Sequence, residues 1–112
     1  MIALRDRLRI FVAERDWDQF HSPKNLAIAL SVEAAELLEH FQWLTEAQAG
    51  ALPPAKLGEV RDEMAVVLLY LVRLADKLDV DLLAAGREKI AKNALKYPAE
   101  RVRGSSRKST EY

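Results

Sequence analysis

The sequence contains no cysteine. Disulfides, zinc–thiolate centres and cysteine nucleophiles are thereby excluded. It has no excess charge of either sign, because Lys+Arg and Asp+Glu both count 17. A nucleic-acid binder is expected to carry a strong basic field, so no nucleic-acid partner is expected. It also lacks a long apolar run. The longest, Met64 to Val72, is nine residues, against the roughly 20 that a membrane-spanning helix needs. Arg5, Asp6, Arg7 and Arg9 interrupt the apolar residues near the N-terminus. No secretory signal is read there, and a cytoplasmic location is expected. Threonine occurs only twice, while alanine and leucine supply 17 residues each, a bias towards helix and away from strand. With 112 residues, half of them hydrophobic and 30% charged, the composition is that of one globular domain.

Periodicity and punctuation predict four helices and no sheet. The first spans Ile2 to Glu14 or Trp17, with Leu4, Leu8, Phe11 and Val12 at helical spacing. A polar and aromatic connector, Asp16 to His21, follows. Ser22 then reads as an N-cap with Pro23 at the first helical position, and the second helix is expected to reach Trp43. Leu44 to Pro54 reads as a connector, with Thr45 and Gln48 spaced as a capping box. The third helix is expected over Ala55–Leu78. Asp79 or Asp81 caps a fourth, which stops before Pro98. Residues 1–97 therefore form the helical domain, and 98–112 a basic, extended or mobile tail. The expected architecture is all-α, an antiparallel bundle of about four helices. Met64 to Val72 is apolar on every face, which one small bundle covers poorly. Completion by self-association, as a dimer or tetramer, is expected.

On a helical wheel Asn25, Ala29, Glu33, Glu36, His40 and Trp43 fall within roughly 80° of one another. Glu33 and Glu36 are i and i+3, so their carboxylates are neighbours whose repulsion a cation would relieve. A solvated acidic face is the plain alternative, and Glu39 fits it. On the third helix Glu59, Glu63, Val66 and Tyr70 share a flank. Two acidic stripes beside buried faces can converge, and Mg²⁺ favours such an oxygen-rich setting. His40 lies one turn from Glu36, as a partner or a ligand. Trp17 and Trp43 suit either core anchoring or base stacking. His21 and Asn25, near a helix start, suit either capping or polar recognition. Lys89, Lys92 and Lys96 read most simply as a solvated face.

Glu33-Ala-Ala-Glu36, followed by Asp62-Glu63-Met-Ala-Val66-Val-Leu-Leu-Tyr-Leu, resembles the paired acidic motif of the MazG-like, all-α nucleoside triphosphate pyrophosphohydrolases. The segments around Trp17, His21 and Asn25, then Phe41-Gln-Trp43, then Lys89…Asn93…Lys96-Tyr97-Pro98, then Arg103-Gly-Ser-Ser106, are similar to the dCTP pyrophosphatase branch. The resemblance covers nearly the whole chain. It implies Mg²⁺-dependent hydrolysis of a nucleoside triphosphate to the monophosphate and pyrophosphate. It implies metal binding and catalysis at Glu33, Glu36 and Glu63. It implies substrate contact by Trp17, His21, Asn25, Trp43, Lys89, Asn93 and Tyr97. One position departs from the pattern: Val66 stands where the family has its fourth acid. Glu59 is one candidate substitute. Asp62 is rotated about 100° from Glu63, a poor geometry for replacing it. A weakened enzyme and a nucleotide-binding homologue without activity are both compatible with that valine.

Overall fold

A computed structural model describes residues 1–104. Among them the secondary structure is entirely helical: α1 (Ile2–Glu14), a 3₁₀ turn (Asp18–Phe20), α2 (Pro23–Glu39), α3 (Glu46–Ala49), α4 (Pro54–Lys77), α5 (Leu82–Lys96) and α6 (Ala99–Val102). The chain divides into two compact units, one up to Val80 and one from Asp81 onward.

Helix starts follow local chemistry. The Ser22 hydroxyl accepts the Asn25 N–H at 3.1 Å, with Pro23 opening α2. Thr45 and Gln48 close a reciprocal capping box on α3, satisfying two otherwise orphaned donors. Pro54 is the first residue of α4. Asp81 caps α5 by accepting the Ala84 N–H at 3.0 Å.

α1 and α4 end alike. Asp16 (φ 53°) and Asp79 (φ 55°) adopt the left-handed conformation just past each helix. The Trp17 N–H reaches back to the Val12 carbonyl at 3.1 Å, and the Val80 N–H to the Ala75 carbonyl at 2.8 Å. Glycine usually takes such positions; a short polar side chain tolerates them at some cost. The reversal at Asp16 turns Trp17 back onto α1, where its ring meets Phe11 edge-on at 5.7 Å.

α2 is shorter than expected, stopping at Glu39 rather than Trp43. The chain then tightens into i→i−3 bonds, from Phe41 N–H to Leu38 O and from Leu44 N–H to Phe41 O. Trp43 thus leaves the α2 stripe and stands 87% exposed. The tail also differs from the expected extended segment, because Ala99–Val102 makes one helical turn. Ser105, Ser106 and the rest of the tail lie outside the described residues.

In the first unit α2 packs along α4, and α1 lies against α4. Pairs at Glu33–Glu63, His40–Glu59 and His21–Arg73 run in opposite chain directions, so α2 and α4 are antiparallel. Val12, Leu26, Val60, Val72 and Ala75 are buried, with Leu26 the most enclosed. Val12 is the buried residue of α1 and Leu26 that of α2. The α4 residues Leu57, Met64, Leu68 and Leu71, and its C-cap Leu78, remain substantially exposed. The run that was expected to be covered on every side therefore keeps an uncovered apolar stripe within one copy. In the second unit, α5 buries none of its residues and exposes Ile90 and Leu95.

Candidate functional site

Antiparallel packing brings the α2 pair against α4. Carboxylate oxygens of Glu33, Glu36 and Glu63 lie within 4.8 Å of one another. Glu33 and Glu63 are half-buried, and Glu36 is exposed. Their crowding has an electrostatic consequence. A hydrogen bond shared with Glu63, reinforced by desolvation and partly offset by Glu36, holds the Glu33 carboxyl above its ordinary range. Like charges this close disfavour one another's ionisation, and a cation between them relieves that repulsion. Three convergent carboxylates with one exposed edge fit a hard divalent ion that retains some of its water.

Glu59 is not part of this group. Its carboxylate faces Lys56 at 3.5 Å and His40 at 4.0 Å. Asp62 is exposed and also outside it. Neither replaces the missing fourth acid, as the rotation of Asp62 from Glu63 had suggested.

Val66, one helical turn after Glu63, faces a different feature. It lines a cavity of about 170 Å³ between α1, the 3₁₀ connector and α4, together with Leu8, Phe11, Val12, Trp17, His21, Leu69, Tyr70 and Arg73. Carboxylate cluster and cavity are thus neighbours along α4, separated by about 4.5 Å of helix rise. The walls are mainly aliphatic and aromatic, with a few polar groups, as in small-molecule sites generally. Phe11 and Trp17 pack edge-on at one wall, and the Arg15 guanidinium lies 3.7 Å from the Phe11 ring centroid.

Of the predicted recognition residues, Trp17 and His21 meet at this cavity. Asn25 does not line it. Its side-chain amide donates to the Phe20 carbonyl at 3.2 Å, tying the connector to α2. Trp43 lies in the turn after α2, also outside the cavity wall. Lys89 and Asn93 sit on α5, and Tyr97 is its C-cap. These three belong to the second unit.

An ionic network behind the cavity was not anticipated from the sequence. Arg73 is buried at 7% exposure. Its Nε donates to His21 Nδ1 at 3.1 Å, and its terminal nitrogens pair with Asp18 and, at 3.4 Å, with Asp76. Arg9 of α1 holds Asp76 from the other side at 2.7 Å, and Lys77 holds Asp18 at 2.6 Å. The Arg9 hydrogen bond keeps Asp76 below the usual carboxylate range, and Lys77 does the same for Asp18. Burial, then the Arg73 charge, push His21 down. The available sequence signal was the run Arg73, Asp76, Lys77 at i, i+3, i+4, which reads equally as a solvated face.

Residues 28–111 match the MazG-like family. The chain belongs to the MazG-like family. The family match contains all three clustered glutamates and Val66. The chain is 47% identical over 103 residues to dCTP pyrophosphatase 1 of Homo sapiens, and 45% to the Mus musculus protein of that name. Each alignment takes in 90% of this chain and 61% of the relative, so the chain spans about three-fifths of their length. It is also similar to a crystal structure of a pyrophosphatase from Archaeoglobus fulgidus DSM 4304. There the TM-score is 0.83 at 42% identity, covering 88% of this chain and 92% of that one. This MazG-like chain thus shares its helical arrangement with a solved pyrophosphatase.

Proposed function

We propose that this chain is a Mg²⁺-dependent nucleoside triphosphate pyrophosphohydrolase acting on a dCTP-like deoxynucleotide and clearing it from the nucleotide pool. The observation that carries this reading is the juxtaposition on α4 of a three-carboxylate cluster and a cavity of about 170 Å³ lined by Phe11, Trp17, His21 and Tyr70. The names of its relatives support it. In the overall reaction water adds to the α-phosphorus and the bond from that phosphorus to its bridging oxygen breaks. The products are the nucleoside monophosphate and pyrophosphate.

Glu33, Glu36 and Glu63 would hold the ion, which supplies charge neutralisation for the triphosphate and acidification of bound water. The upward push on Glu33 means that its ionisation, and so the full charge of the ligand set, is favoured when an ion is bound. Trp17 and Tyr70 offer aromatic faces and the aliphatic wall excludes water, while His21 offers a polar contact. Asn25, Trp43, Lys89, Asn93 and Tyr97 are further proposed substrate contacts, on the resemblance alone. A pyrophosphate-release assay across the four dNTPs with Mg²⁺ is the test. Turnover of dCTP above the others is expected, and no turnover of any would refute the reading.

A second reading is a weakened or inactive nucleotide-binding homologue. Val66 in the cavity wall favours it, since the fourth acid of the family motif is missing from the ion's side. It expects dCTP binding by calorimetry with shallow Mg²⁺ dependence and no product.

We further propose self-association, as a dimer or tetramer, through the exposed α4 stripe. Leu57, Met64, Leu71 and Leu78 recur every seven residues, the spacing of a helix-pairing seam. Light scattering on the purified chain tests this, and a monomer at micromolar concentration would refute it. No described helix is long and apolar enough to cross a membrane, and charge balance gives no basic field. A cytoplasmic location without nucleic-acid or membrane partners is the corresponding proposal.

A further inference from the structure

The cavity wall has one polar group whose orientation is fixed from behind. Arg73 Nε points at His21 Nδ1 at 3.1 Å. A guanidinium has no acceptor and does not deprotonate in proteins, so this nitrogen of the imidazole must carry a lone pair. In the neutral ring the proton then sits on Nε2. Nε2 is also the ring's only remaining polar atom, and the ring lines the cavity.

The guanidinium itself is held by three separate elements. Asp18 comes from the 3₁₀ turn, Asp76 from α4 and, through Asp76, Arg9 from α1. Lys77 further anchors Asp18. These are the charged groups around His21: Arg73, Asp18, Asp76, Arg9 and Lys77. An isolated ion pair between Arg73 and one carboxylate would satisfy burial. The fork instead spends its Nε–H on a neutral histidine, and that bond does little for charge balance.

We propose that Arg73 is a positioning residue that locks His21 as the Nε2–H tautomer. The cavity then presents a fixed hydrogen-bond donor to an acceptor on the bound base, a carbonyl oxygen or ring nitrogen. The recognition half of this statement rests on the nucleotide reading above; the tautomer lock does not. The second nitrogen of a histidine commonly sets the tautomer of the first. Here the second partner is a cation rather than the usual carbonyl or carboxylate. It therefore selects the opposite proton placement and opposes protonation, consistent with the downward push on the ring.

The test uses the full chain labelled with ¹⁵N-histidine. Only His21 and His40 contribute, and His40→Gln assigns the spectrum. Long-range ¹H–¹⁵N correlation between pH 5.5 and 8 is expected to show His21 with a bare Nδ1 and a protonated Nε2. In Arg73→Leu the two tautomers mix and the ring titrates at higher pH, because Asp18 and Asp76 remain beside it. An Nδ1–H form in the native chain, or the same mixture in both proteins, overturns the lock.

Calorimetry with dCTP, without metal, reads recognition. At pH 7.5 Arg73→Leu is expected to bind about threefold to tenfold more weakly, the value of one hydrogen bond. The ratio to wild type should shrink towards one at pH 5.5, because a protonated imidazole again carries Nε2–H. A ratio independent of pH would mean that Arg73 only supports the fold, and overturns the recognition role. If the native chain binds no dCTP without metal, both proteins are titrated again with Ca²⁺ present; no binding by the native chain there either refutes the nucleotide reading instead, while the spectra still decide the lock. If Arg73→Leu does not fold, Arg73→Lys replaces it, with intermediate tautomer mixing expected and native spectra counting against the lock.

Discussion

Replacing Val66 by aspartate perturbs both halves of the site with opposite signs. Val66 is half-buried in the cavity wall and one helical turn from Glu63. Loss of its partial burial costs about 1 kcal/mol. The new carboxylate lies about 6 Å from Glu63 by helical spacing. At that distance the repulsion is about 0.7 kcal/mol in water and about 3 kcal/mol at an effective dielectric of 20. An intermediate value gives a metal-free destabilisation of about 2–3 kcal/mol. For a unit this size that lowers Tm by about 10–20 °C. Mg²⁺ reverses the sign, because the fourth acid joins the ligand set. A gain of about 1.4 kcal/mol in metal binding is a tenfold lower Kd, and Mg²⁺ at a hundredfold excess over Kd returns about 2.7 kcal/mol of stability. Thermal unfolding with and without Mg²⁺ measures both effects, alongside pyrophosphate release. The variant should show the larger Mg²⁺-induced rise in Tm and the faster turnover. If it melts with native-like insensitivity to Mg²⁺ and turns over no faster, Val66 does not occupy a ligand position, and the account of the departure is wrong.

Four further substitutions follow from the structure. Glu33→Gln removes one charge and leaves a donor for Glu63, so the metal-free protein should gain about 0.5–1 kcal/mol while Mg²⁺ binding by calorimetry falls at least tenfold. In the native chain Mg²⁺ affinity should weaken as pH falls through the raised range of Glu33, since binding must expel its proton. Asp76→Asn leaves buried Arg73 with Asp18 alone and should cost about 2–3 kcal/mol in urea unfolding. Asp76 is held below its ordinary 3.8, so its contribution is complete above that value and disappears as pH falls through the lower folded one. The gap between native and variant should therefore stay constant above the ordinary carboxylate range and narrow only as pH falls below it; a gap that closes above about pH 5 would contradict this. Asp16→Gly and Asp79→Gly relieve a left-handed backbone and should each raise stability by about 0.5–1 kcal/mol; a loss at both sites would show that the aspartate side chains themselves hold these turns.

Much of this was legible because helix starts are local events. Ser22-Pro23, Thr45…Gln48 and Asp81 each bring their own hydrogen-bond partner within three residues, and each caps the helix its position indicated. The convergence of Glu33, Glu36 and Glu63 was likewise written in i, i+3 spacing on one helix and a flank on another. Helix ends were less legible. No glycine or proline marks the stop after Glu39, and the apolar Phe41 and Trp43 continue the periodic pattern into a tight turn. Burial of Arg73 was invisible for a different reason: its partners His21 and Asp18 lie 52 and 55 residues away, and only tertiary packing unites them. The Asn25 amide nitrogen donates to the Phe20 carbonyl in the connector, a tie between segments that helical spacing does not reveal.

The cavity draws Leu8, Phe11, Val12, Trp17 and His21 from residues that precede the stretch matching the family, which begins at residue 28. The acids that would grip an ion are all inside that stretch. The cavity wall also takes Val66, Leu69, Tyr70 and Arg73 from α4, so the cavity straddles the start of that stretch and its far side begins one helical turn from Glu63.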